Sequence, residues 1–158
     1  MMSERVNQFW PIIILCALIC CMGIGCGQTQ AEYEVPELAP VEGVVTINGK
    51  PEAGVLVSLT PMGTTSGQVS YGLSDSAGKF VCEYSQGGVG CPQGQYAVTC
   101  SKMVTPDGKP IPEGASAADV MARDMIPARY RDPQNPFMTE QIGSAGNTNL
   151  TIDLKIKK

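Results

Sequence analysis

The chain has 158 residues, 43% of them hydrophobic and 16% charged, and its 18 glycines and 12 prolines make up almost a fifth of it. That composition excludes intrinsic disorder, coiled coils and long helical bundles. A formal charge of −4 argues against nucleic acid as a partner, and with no histidine the chain cannot form a Ser-His or Cys-His catalytic pair, a His-ligated zinc site or a histidine proton shuttle.

Residues 1–25 carry Arg5 and then no charge from Phe9 to Gly25, and the core of this stretch, Ile12 to Ile24, has the length of a secretory h-region rather than of a membrane span. Gly23-Ile24-Gly25-Cys26 follows, and then the small polar run Gly27-Gln28-Thr29. This resembles the lipobox of bacterial lipoproteins, with Gly23 standing where an aliphatic residue is usual. The resemblance implies that the Cys26 thiol is acylated and becomes the new N-terminus. Cys16, Cys20 and Cys21 fit less well, because bulky Leu15, Ile19 and Cys20 precede them. Alkyl chains on Cys26 give a membrane partner through a lipid anchor, each buried methylene contributing about 0.8 kcal/mol. Residues 26–40, with Glu32, Glu34, Glu37, Pro36 and Pro40, read as a solvated tether. Its stretch from Gly27 to Pro40 reaches about 45 Å when extended.

From residue 41 to 158 short strands alternate with turn chemistry. Val41 to Ile47 runs into Asn48-Gly49, a two-residue hairpin signal, and the return Val55 to Thr60 places Val55, Val57 and Leu59 on one face. Val69 to Ser74 is a weaker strand. Asp75 to Gly78 form a turn, with Asp75 a turn former rather than a calcium ligand, since few oxygens converge there. Phe80, Cys82 and Tyr84 then share a face, as do Tyr96, Val98 and Cys100 beyond a glycine-rich loop. Gly114 to Asp124 has helical character, with Ser116 as N-cap, so a long loop or short helix is predicted around 103–125. Leu150, Ile152, Leu154 and Ile156 mark the last strand. Period two throughout predicts an all-β fold, an antiparallel β-sandwich of six or seven strands. Phe80, Tyr96 and Tyr130 are assigned to its core.

Val41 to Pro51 followed by Gly54 to Pro61 resembles the opening hairpin of carboxypeptidase-regulatory-like domains. Asp75-Ser76-Ala77-Gly78-Lys79-Phe80 resembles their D-x-x-G-x-F turn, and Gly94-Gln95-Tyr96-Ala97-Val98 their G-x-Y-x-V strand. The ending is similar to that of small bacterial lipoproteins with such a domain, through Ile126-Pro127-Ala128-Arg129-Tyr130, Asp132-Pro133 and Gly146-Asn147. The likeness covers about Val41 to Lys157 and implies the seven-stranded transthyretin-type sandwich.

After cleavage the chain keeps Cys82, Cys91 and Cys100 besides Cys26. Export places them where disulfides persist, and three permits at most one internal bridge. Cys82 with Cys100 is the favoured pair, both lying on apolar faces, although spacing also permits Cys91 to join either. No metal ligand set, cofactor or catalytic residue is assigned. Arg123, Arg129 and Arg131, interleaved with Asp124 and Asp132, read as an ion-paired loop, and Lys155, Lys157 and Lys158 as protection for an edge strand.

The resulting expectation is a non-enzymatic, membrane-anchored lipoprotein of the bacterial cell envelope, at the outer membrane or facing the periplasm, whose sandwich is a structural or interaction module. The partner would be an envelope protein or a glycan. A carbohydrate- or peptide-binding domain is the alternative, although loss of Trp10 with the signal leaves no tryptophan for sugar stacking. A hydrolase like the transthyretin-related hydroxyisourate hydrolases fits worse, since those use histidines and a Tyr-Arg-Gly-Ser-type tail, whereas this chain ends Lys155-Ile156-Lys157-Lys158.

Overall fold

A computed structural model describes residues 36–157, so Cys26 and the rest of the leader lie outside the described residues. Thirteen strands, several of only two residues, and one 3-10 turn make up the described part. They are β1 (Leu38–Ala39), β2 (Val41–Ile47), β3 (Lys50–Pro51), β4 (Leu56–Pro61), β5 (Ser70–Leu73), β6 (Lys79–Val81) and β7 (Glu83–Tyr84). Then come β8 (Cys91–Pro92), β9 (Gly94–Ser101), β10 (Met103–Val104), β11 (Arg123–Asp124), β12 (Met138–Ile142) and β13 (Asn147–Leu154). A five-stranded antiparallel sheet has the order β12-β9-β4-β5-β7. A second sheet has β13 on one side of β2, and both β3 and β6 on the other. Two-stranded ribbons, β1-β8 and β10-β11, complete the set.

The predicted alternation is realised. Val55, Val57 and Leu59, then Phe80, Cys82 and Tyr84, then Tyr96, Val98 and Cys100, and finally Leu150, Ile152 and Leu154 are all buried. Side chains from both larger sheets meet in one apolar core. Burying a valine, leucine or isoleucine fully contributes about 1.5–3 kcal/mol, so this set is the main source of stability.

Three expectations need correction, and one alternative is decided. The pairing is not antiparallel throughout, because β13 lies parallel to β2, with Leu150 opposite Gly43 and Ile152 opposite Val45. Alternation fixes which face of a strand is buried but carries no information on the direction of its partner. The Asn48-Gly49 turn forms, both residues having positive φ (53° and 78°), but the return is only β3, and the chain then crosses to the other sheet as β4. Of the long loop or short helix predicted around 103–125 the loop forms, closed by the β10–β11 ribbon, and these residues contain no helix. Ser116 does bond Asp119 reciprocally, as an N-cap would, yet Met121 enters left-handed φ (49°) and the single turn ends. The folded part also begins before Val41, since Ala39 pairs with Cys91 and is buried, which takes Leu38 and Ala39 out of the tether.

Gly43 serves close approach rather than a turn. A Cβ there would stand 2.2 Å from the Leu150 carbonyl oxygen and 2.8 Å from Phe80 Cζ. The Asp75 turn is as predicted, with Oδ1 accepting from the N–H groups of Ala77 and Lys79 at 2.8 and 2.9 Å.

Candidate functional site

The strand carrying Lys79 to Tyr84 serves both large sheets. Its first part, β6, pairs with β2, and its second part, β7, pairs with β5. The switch at Cys82 leaves the outer end of β5 without a strand partner beyond Tyr71 on that side. Gly72 permits the approach there, since a Cβ would sit 2.5 Å from the Val81 carbonyl oxygen. Next to it lies a groove of about 680 Å³.

Apolar side chains line this groove from outside the core. Leu56 and Leu73 are cross-strand partners, and Tyr71 lies opposite Glu83. Leu56, Tyr71 and Val81 are 38%, 41% and 46% exposed, and Leu73 is 64% exposed. Asp75, Lys79 and Glu83 flank them, so a polar rim surrounds an apolar floor. Single exposed leucines are ordinary on protein surfaces, and here four apolar side chains lie together on one groove. Sequence reading passed over these residues by attending to inward faces. A signal was present: Val55-Leu56-Val57 is a continuous apolar run, where a half-solvated strand would place a polar residue in the middle.

A second groove, about 590 Å³, lies where β8 leads into β9. Thr64, Thr65, Ser66, Gln93, Gln95 and Gln141 give it a lining of hydroxyls and amides. Thr65 is fixed in place, its Oγ1 accepting from the Gln95 N–H at 2.8 Å and donating to the Gln95 carbonyl at 3.1 Å. Such groups can donate to and accept from a neutral polyol.

The predicted site residues are not drawn together. Cys82, Cys91 and Cys100 are free and buried, so the expected Cys82–Cys100 bridge is not formed. Cys100 is opposite Val57, Val57 opposite Gly72, and the same register continues through Tyr71 and Glu83 to Cys82. Three strand spacings, about 14 Å, therefore separate the two, far beyond the ~7 Å between α-carbons that a disulfide spans. Burial pushes the thiols of Cys82 and Cys100 up to about 12, and raises that of Cys91 as well, so all three are protonated near neutrality and poor nucleophiles. Phe80 and Tyr96 are core residues, the Tyr96 hydroxyl donating to the Pro92 carbonyl at 2.8 Å. Among the arginines, Arg131 pairs with Asp124 at 3.7 Å and Arg129 donates to the Tyr130 hydroxyl at 3.1 Å. No family model matches the chain, and no curated protein and no solved structure is similar to it.

Proposed function

We propose that this chain is a lipid-anchored protein of the bacterial cell envelope whose β-unit, a transthyretin-like sandwich of the carboxypeptidase-regulatory kind, is a non-catalytic module that holds another envelope protein. The observation that carries the reading is the contiguous exposed group Leu56, Tyr71, Leu73 and Val81 with its charged rim. Covering Leu73 alone would contribute about 1–2 kcal/mol, scaled from the value for complete burial. The buried thiols and the lack of histidine leave the usual nucleophile-base pairs without their members. A photo-crosslinking amino acid at Leu73 in intact cells is expected to give a discrete protein adduct, and the same group at Thr151 on β13 is not. Equal adduct patterns at the two positions would count against a docking role for this groove.

The anchor rests on Gly23-Ile24-Gly25-Cys26. A Cys26→Ala chain is expected to lose incorporated palmitate and to leave the lipid-modified membrane fraction. Label retained at the wild-type level would rule out Cys26 as the acylated residue.

The hydroxyl- and amide-lined groove around Thr65 supports a second reading, a glycan-binding module. Binding of envelope polysaccharide that is lost in Gln95→Ala and kept in Leu73→Ala would favour it over the first.

A further inference from the structure

We propose that Cys82 and Cys91 are a redox pair, joined by a disulfide when the chain folds in the presence of a disulfide oxidant, and that Cys100 stays a thiol. The chain trace leaves one pair within reach. Gly94 to Cys100 is six steps of extended β9, about 20 Å, whereas Cys91 lies three residues before Gly94 and at most about 11 Å from it. Cys91 and Cys100 are thus at least ~9 Å apart, and Cys82 is excluded from Cys100 by the intervening strands β4 and β5.

Cys82 and Cys91, by contrast, flank one narrow turn. Glu83 and Val89 form an antiparallel bridge, and the Gly90 N–H donates to the Cys82 carbonyl at 2.7 Å, so residue 90 is opposite residue 82 and Cys91 is its neighbour. In a regular ladder Cys91 would point to the face opposite Cys82, but Gly90, at φ 113°, breaks the alternation, and across about 5 Å between strands the two thiols can meet on the core side. Both also border the same short segment. Cys91 pairs with Ala39, while the Cys82 N–H donates to the Val41 carbonyl at 2.8 Å. Both side chains enter the same core.

The surroundings of Cys91 add a second feature. Ser70 is fully buried, and its hydroxyl has no hydrogen-bond partner by ordinary geometry. It adjoins the Cys91 thiol, and the hydroxyls of Ser70 and Tyr96 favour the thiolate there, partly offsetting the effect of burial.

With oxidised glutathione as the oxidant, one of the two thiolates attacks a glutathione sulfur, forming a mixed disulfide and releasing one glutathione thiolate. The other thiolate then attacks the protein sulfur of that mixed disulfide and expels the second glutathione. Two thiol protons leave the protein, and its two electrons reduce one glutathione disulfide to two thiols. Burial makes thiolates scarce once the core has closed, so the exchange belongs to folding rather than to the finished fold. The bond would tie the β7–β8 turn at its base, beside β1, where the chain enters the folded part.

The test is refolding of the full-length chain from denaturant in a reduced and oxidised glutathione buffer, quenched with N-ethylmaleimide and digested with chymotrypsin. Cleavage after Tyr84 and Tyr96 puts the three cysteines on separate fragments. The expected result is a fragment pair linked through Cys82 and Cys91, lighter by two hydrogens than its sum, with Cys100 alkylated. The Cys100→Ala chain is expected to keep the linked pair. A chain that regains its β spectrum with Cys82 and Cys91 both alkylated would overturn the proposal, and so would a linkage through Cys100.

Discussion

A Gly43→Val chain is expected to lose cooperative folding, with a destabilisation of about 4 kcal/mol or more out of a typical total of about 5–15 kcal/mol. Gly43 is in the middle of β2 and is paired on both flanks, with Leu150 of β13 on one side and Phe80 of β6 on the other. An ideal Cβ at 43 would meet the Leu150 carbonyl oxygen at 2.2 Å, Phe80 Cζ at 2.8 Å and Leu150 Cβ at 2.9 Å. The first of these is backbone, so no rotamer change relieves it. The strand itself must move, and with it the parallel pairing that joins the two ends of the folded part. Overpacking alone costs about 1–3 kcal/mol, and the wedge adds the loss of pairing. Urea denaturation followed by far-ultraviolet circular dichroism measures the effect. Gly43→Ala carries the same Cβ and is expected to lose much of the same stability, whereas Glu42→Ala, exposed on the same strand, should stay within about 0.5 kcal/mol of wild type. A Gly43→Ala midpoint equal to wild type would mean that β13 and Phe80 do not approach β2 this closely.

This glycine also shows where sequence reading stops. Local rules placed the inward faces correctly, because a period of two decides burial strand by strand, as at Val55, Val57 and Leu59 or at Leu150, Ile152 and Leu154. They also placed the Asp75 turn, whose carboxylate bonds the backbone two and four residues on. They could not find that Gly43 is a contact point, since the residues it meets are 37 and 107 positions further along the chain. The parallel β2–β13 pair was invisible for the same reason. Between Ser116 and Asp124 the cap was legible but the helix was not formed. Ala117, Ala118 and Ala122 offer little apolar area to bury, and a short helix without a buried face has nothing to repay nucleation. The candidate groove was half legible. The apolar run around Leu56 is a local signal, whereas Leu73 joins it as a cross-strand partner and Val81 because the strand switches sheets at Cys82, and both are properties of topology.

Replacing Tyr130 by alanine is expected to cost about 3–5 kcal/mol, and by phenylalanine about 1–2 kcal/mol. Tyr130 closes the single 3-10 turn, Ala128–Tyr130, and is 7% exposed. Its ring meets Phe137 edge to face, centroids 4.9 Å apart at 83°, and the Arg129 guanidinium lies 4.6 Å from its centroid. The ring is therefore held by packing on more than one side, which alanine would replace with a cavity. The hydroxyl does a separate job. It accepts the Lys155 N–H at 2.9 Å and donates to the Lys155 carbonyl at 3.0 Å, tying down the chain just past the end of β13. Arg129 donates to the same oxygen, so its one donor and two acceptor positions are filled. Phenylalanine keeps the ring and leaves the Lys155 N–H to find water at the partly open rim, while the Lys155 carbonyl still accepts from Arg129, which sets the smaller figure. Denaturant midpoints of the two variants separate the contributions. Equal losses would mean that the hydroxyl bridge to Lys155, and not the ring against Phe137, is what Tyr130 contributes. A loss for phenylalanine near zero would mean that water replaces the bridge without cost. Between those limits, the difference between the variants measures how far a buried aromatic and a backbone tie each hold β13 against β2.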